Sequence, residues 1–166
     1  MKLGKYEAID KKELRSIFLN YVDALEMPVI DYVAIGVQDT IQNKSTSLMS
    51  RVEWQNTFKN LNLSEDDPVR RASFNTRSGI FSFDEVDCKN SAGKEVMRQR
   101  RLHEIENGLV LIRKNLGTNF MLTLATGHKD FDAYKFFIAH RPAINLVFDD
   151  LVGLISTETK SYIWKK

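Results

Sequence analysis

The chain has 166 residues, 43% of them apolar and 28% charged, with a formal net charge of +2. That composition fits one globular domain over residues 1–166 and excludes a disordered or fibrous chain. The weak net charge shows no clustered excess of the kind nucleic-acid binding needs. No stretch approaches 18 apolar residues and the N-terminus lacks the apolar run of a signal peptide, so no membrane partner is expected. The single cysteine, Cys88, rules out an internal disulfide and suits a reducing, cytoplasmic setting.

Asp10-Lys11-Lys12-Glu13 has the form of a capping box. Leu14, Ile17, Phe18, Tyr21, Val22 and Leu25 follow it at helical spacing, so an amphipathic helix is expected up to the Pro28 region. The segment from Asp31 to Val37 is rich in β-formers. Val33, Ile35 and Val37 share one face, and Tyr32, Ala34 and Gly36 the other. Beyond Tyr32 the second face is small. It leaves room for either a ligand cavity or a closely packed helix.

Residues 38–47 are polar and read as a loop or hairpin turn leading into a short strand. A helix is expected over about 51–61, with Val52, Trp54, Phe58 and Leu61 as its apolar members. Trp54 and Phe58, four apart, share a helical face. Ser64 to Asp67 reads as a turn, and Asp67-Pro68 as the start of a short helix through about Phe74. Arg77-Ser78-Gly79 is a turn, and Ile80 to Phe83 an extended piece. A buried Trp offers one N–H donor, and an Asp carboxylate only acceptors. The stretch from Trp54 to Pro68 therefore suits a pocket for a mostly apolar ligand held by a few polar atoms.

Ser91 to Glu106 reads as a highly charged helix. Lys94, Arg98, Arg100, Arg101, Glu104 and Glu106 suggest a solvated surface, and Asn107-Gly108 its end. Leu109 to Ile112 and Asn119 to Ala125 pair as a hairpin around the turn at 114–117. On the second strand Thr123 is a lone hydroxyl on a fairly small face. A helix from about Phe131 should break or restart at Pro142. Beyond it Ile144, Val147, Phe148, Leu151 and Ile155 form an apolar stripe, usually core and sometimes a dimer face. The order gives an α+β chain: an α-β-α sandwich with a central antiparallel sheet of about five strands and helices on both faces.

No catalytic or metal constellation is visible. There is no Walker loop, GxGxxG, GxSxG or HExxH motif. His103, His128 and His140 lack metal-ligand spacing, and Asp84, Glu85 and Asp87 lack the spacing and glycine of an EF-hand. The chain is read as a non-enzyme without metal or cofactor.

With these residues in hand, the chain resembles the autoinducer-binding domain of LuxR-type quorum-sensing transcription regulators, best over about residues 30–126. In that family a Trp, an aromatic four residues on and an Asp-Pro nine residues further mark an acyl-homoserine-lactone pocket. Trp54, Phe58, Asp67 and Pro68 match that spacing. Phe83 in Phe81-Ser82-Phe83 corresponds to a second aromatic, Gly108-Leu109 to a glycine opening a strand, and Thr123 to a ligand-contacting hydroxyl. The resemblance implies that the Trp54 indole N–H donates to a lactone carbonyl and that the Asp67 carboxylate accepts from the ligand's amide N–H. Ala34 and Gly36 would floor the pocket.

Two positions depart from the pattern. The family's usual Tyr is Phe58, so one donor to the ligand is missing, and its usual Trp is Phe83. Leaving a buried carbonyl unpaired costs about 1–3 kcal/mol. A weaker lactone ligand or another small amphipathic molecule is therefore expected. The resemblance also implies a homodimer, or a heterodimer with a regulator. It implies DNA contact only through a helix-turn-helix domain that this sequence does not contain. The competing reading is a ligand-independent interaction or dimerisation module resembling a short anti-activator.

Overall fold

Tyr32 to Asp39 is buried along its whole length because both faces of the strand are covered. Val33, Ile35 and Val37 join one hydrophobic core, and Tyr32 and Ala34 the other. The computed structural model describes residues 3–9, 11–76 and 79–163, with side chains as far as 156. Its sheet has six strands: β1 (Lys5–Ala8), β2 (Tyr32–Asp39), β3 (Lys44–Met49), β4 (Ile80–Ser82), β5 (Asn107–Asn115) and β6 (Thr118–Thr126). Their order is β1-β3-β2-β6-β5-β4. Every neighbouring pair is antiparallel except β1 and β3, which run parallel with Tyr6 opposite Ser45.

Alternation on the central strands separates the two cores. Leu122 and Leu124 of β6 and Leu109 and Leu111 of β5 face the same side as Val33 and Ile35. That side is covered by helices α1 (Lys12–Asp23) and α5 (Ala133–Ile163). The α5 stripe at Ile144, Val147, Phe148, Leu151 and Ile155 is buried in this core, so it is no dimer face. The helix kinks at His140, two residues before Pro142, as a ring without an N–H requires. On the opposite side lie α2 (Val52–Asn60), α3 (Pro68–Asn75) and α4 (Ser91–Leu102). They bring Trp54, Phe58, Val69, Val96 and Met97 over Tyr32, Ala34 and Val110. The layered α+β architecture agrees with the sequence reading.

Several details differ from it. The sheet has six strands rather than about five, because Lys5–Ala8 adds an edge strand through backbone pairing with β3. The polar run at 38–47 is mostly strand, with its turn confined to 40–43. There the Asp39 carboxylate accepts from the Ile41 and Gln42 N–H groups at 2.9 and 3.0 Å. Helix α4 ends at Leu102 rather than Glu106, and Gly108 lies within β5, opposite Ala125, not at a helix end. Arg100, expected on a solvated surface, is 6% exposed. Within the segment from Asp10 to Glu13, Asp10 lies outside the described residues, and α1 begins after Lys11 without a side-chain cap. Arg77 and Ser78 of the expected turn also lie outside them.

Candidate functional site

Asp67 is placed by the start of α3. Its carboxylate accepts from the Val69 N–H at 3.0 Å, and Pro68 fills the first helical turn, where its missing N–H costs nothing. Trp54 and Phe58 project from one face of α2 onto the sheet, with ring centroids 5.5 Å apart, and Trp54 is fully buried. Phe83 leaves β4 at a 3-10 turn (Phe83–Glu85) and is buried beside Gly108 of β5.

Beside them lies a half-open cavity of about 70 Å³ on the α2–α4 side of the sheet. Ala34, Gly36 and Thr123 form part of its floor, and Phe58 and Asp67 part of its wall. Five of the nine residues singled out from the sequence therefore meet at one space. Trp54 and Phe83 lie behind the wall and touch it through Arg100. The Arg100 guanidinium sits 5.3 Å from the Trp54 ring centroid and 5.9 Å from that of Phe83. Pro68 faces a separate, open groove beside Gly93, and Gly108 supports Phe83 from below.

The site also contains residues that sequence reasoning missed. Arg100 pairs bidentately with Asp67, at 2.5 Å to Oδ1 and 2.8 Å to Oδ2. Both side chains are buried. Burial opposes the Arg100 charge, and the Asp67 carboxylate more than offsets this, holding the guanidinium pKa above its ordinary value. Arg70 of α3 lines the cavity and donates to the Ser64 and Gly4 carbonyls and to Ser45 Oγ, at 3.1, 2.6 and 2.7 Å. Burial pulls its pKa down, against the attraction of Asp67.

Tyr6 of β1 brings a phenol to the same wall. Its ring stands edge-on to Phe58 at 5.1 Å, and its hydroxyl is 2.6 Å from Ser47 Oγ. The Tyr32 hydroxyl is wholly buried, and burial raises its pKa, with the Arg100 charge acting the other way. Around this site two buried donors lack a well-formed hydrogen bond: Trp54 Nε1 and Arg70 Nε. The Trp54 indole lies near enough to Tyr32 to oppose part of its pKa shift, yet it makes no well-formed hydrogen bond. The site thus combines apolar walls, hydroxyls and two buried cations around one carboxylate. Such a lining offers apolar contact and hydrogen-bond donors together, and among the described residues no nucleophile–base pair lines it. Among the described residues no His, Cys, Asp and Glu cluster could hold a metal ion, and no helix is long and apolar enough to cross a membrane.

The family model for the autoinducer binding domain matches residues 10–151. No curated protein sequence matches the chain. Among solved structures, the chain is similar to CepR2 from Burkholderia cenocepacia, described as an N-acylhomoserine-lactone-dependent LuxR-family transcription factor. The TM-score is 0.57 at 14% identity, covering 75% of this chain and 73% of that one. It is similar to SdiA in complex with octanoyl-rac-glycerol, with a TM-score of 0.53 at 14% identity, covering 76% of this chain and 58% of SdiA. It is also similar to the VqsR ligand-binding domain from Pseudomonas aeruginosa, with a TM-score of 0.57 at 15% identity, covering 87% and 90%. At these identities the structures establish the fold.

Proposed function

The chain belongs to the autoinducer-binding-domain family, and from that membership we propose that its signal is a small amphipathic molecule held in the cavity between Phe58, Asp67 and Thr123. The observation that carries this reading is the convergence of Ala34, Gly36, Phe58, Asp67 and Thr123, from four separate elements, on one space. An acyl-homoserine lactone is one candidate, since CepR2 is described as dependent on such molecules. A ligand with another head group is a second, since SdiA is described with octanoyl-rac-glycerol.

Binding to the folded state alone stabilises it by RT ln(1 + [L]/Kd), about 2.7 kcal/mol at a hundredfold excess over Kd. A sensor domain can use that energy to favour one conformation or one partner surface. The same reading includes pairing with a second copy or with a longer regulator, and DNA contact through a helix-turn-helix domain rather than this one. Catalysis forms no part of it.

Native mass spectrometry of the purified domain, with thermal melting against a panel of acyl lactones, acylglycerols and short acids, tests the reading. A retained small molecule, or a melting shift lost in Trp54→Ala and Asp67→Ala, supports it. A stably folded domain that retains nothing and responds to no ligand class removes it and leaves the interaction-module reading.

A further inference from the structure

The polar end of the site already has an occupant. The resemblance assigns Asp67 to a ligand's amide N–H, yet both Asp67 oxygens are taken by Arg100, and Oδ1 also accepts from Val69. The Arg100 guanidinium lies among Phe83 and the two residues the resemblance gives to a ligand head, Asp67 and Trp54. It supplies the donors that Asp67 requires, and its charge lies within cation–π distance of both rings. An amide donor would have to displace a buried, bidentate cation.

What remains unmet in the site is an acceptor. The cavity walls carry two guanidinium groups, Arg70 and Arg100, against one carboxylate, Asp67. Arg70 lines the cavity and is 5% exposed, and its Nε has no acceptor. Burial disfavours the Arg70 charge by more than Asp67 and Glu65 offset, and a ligand carboxylate would supply the missing compensation. Phe58, Val69, Met49 and Met121 add an apolar side to the cavity. Its volume of about 70 Å³ lies well below the roughly 300–1,000 Å³ of ordinary ligand pockets, so the ligand is short.

We propose that Arg100 is the specificity-determining residue of this site: by occupying Asp67, it turns a reader of amide donors into a site for a short carboxylate. The inference rests on the sensing function proposed above and names its ligand class.

The test compares sodium butanoate with neutral N-butanoyl homoserine lactone on the whole domain, with sodium chloride matching ionic strength. Thermal melting and calorimetric titration are the readouts. Butanoate is expected to raise the melting temperature by several degrees, and Arg70→Met to abolish that rise in a domain that still unfolds cooperatively. The lactone is expected to leave wild type within one degree and to bind at least tenfold more weakly than butanoate. In the charge-neutral pair Asp67→Asn/Arg100→Met the preference should fall or reverse. If that pair does not fold, the two wild-type titrations decide alone. Lactone binding to wild type that is lost in Asp67→Asn overturns the inference while upholding the sensing function. No response to either probe also overturns it, and the sensing function falls with it only if native mass spectrometry finds no retained molecule.

Discussion

Gly108 carries the ring of Phe83: a Cβ at position 108 would stand 2.7 Å from Phe83 Cζ and 2.9 Å from Cε1. The glycine is in an ordinary strand paired with Ala125, so close approach rather than backbone freedom is what requires it. Gly108→Ala forces the ring outward, toward the Arg100 guanidinium that it faces at 5.9 Å. The expected cost is about 1–3 kcal/mol of unfolding free energy in urea, as for other over-packed cores. Adding Phe83→Leu removes the obstructing ring edge. The double variant should therefore be more stable than the two single costs added together, and simple additivity would show that the contact does not limit the site.

Arg70 ties three segments to the cavity: the chain before β1 through the Gly4 carbonyl, β3 through the Ser45 hydroxyl, and the turn before α3 through the Ser64 carbonyl. Arg70→Met keeps much of the side-chain volume but leaves two carbonyls short of a charged donor. A loss of about 2–3 kcal/mol is expected. The local effect should be larger at the edge strand, with amide exchange in Lys5–Ala8 accelerating more than in β2. Uniform acceleration across the sheet would show that Arg70 acts only on global stability.

How much of this was legible in the sequence follows from how local each signal is. Trp54 and Phe58 sit one helical turn apart and Asp67 precedes a proline, so their placement on α2 and at the start of α3 can be read from neighbouring residues. The alternation of β2 could be read in the same way. Arg100 was hidden among Arg98, Arg101 and Glu104. Yet it follows Val96 by four residues and Met97 by three, and so lies on the one buried face of α4. Its partner Asp67 is 33 residues away, a distance no periodicity encodes. Tyr6 was invisible for another reason: Lys5–Ala8 is too short to show alternation, and its pairing is parallel and non-local.

Tyr6 bears on the hydroxyl that Phe58 lacks. Its ring packs edge-on against Phe58, and its hydroxyl reaches Ser47, so a phenol stands at this wall from another element. Tyr6→Phe should cost about 1 kcal/mol, the net worth of one part-buried hydrogen bond. It should also weaken binding of any molecule held in the cavity, about tenfold if one ligand hydrogen bond is lost. Unchanged affinity at reduced stability would place the Tyr6 hydroxyl outside the ligand's reach.

The Cys88 thiol should be unreactive at neutral pH. Burial raises its pKa and the neighbouring Asp87 charge raises it further, with Arg100 acting the other way. Since the thiolate is the nucleophile, iodoacetamide should modify Cys88 more slowly than free cysteine at pH 8. The rate should still be climbing at a pH where free cysteine has levelled off. A rate equal to that of free cysteine would show that the thiol is fully solvated.

A tie between the two faces of the sheet should make stability depend on pH. The Tyr134 hydroxyl of α5 donates to Glu85 Oε1, and Glu85 also accepts from the Ser82 N–H, at 3.2 Å, in the capping box of the turn that holds Phe83. The hydrogen bond to Glu85 pushes the Tyr134 pKa up to about 12 and lowers that of Glu85. A raised phenol pKa stabilises the fold fully below its unfolded value of about 10, and that contribution is lost as pH rises through the folded value. A lowered carboxyl pKa stabilises the fold above its unfolded value of about 4.3, and that contribution is lost as pH falls through the folded value. Tyr134→Phe should therefore destabilise the domain most between about pH 5 and 10, by about 0.5 kcal/mol, since both groups are largely solvated. Melting curves of the variant and wild type should converge toward pH 3. A difference that stays constant from pH 3 to pH 10 would show that Tyr134 contributes by packing and not through Glu85.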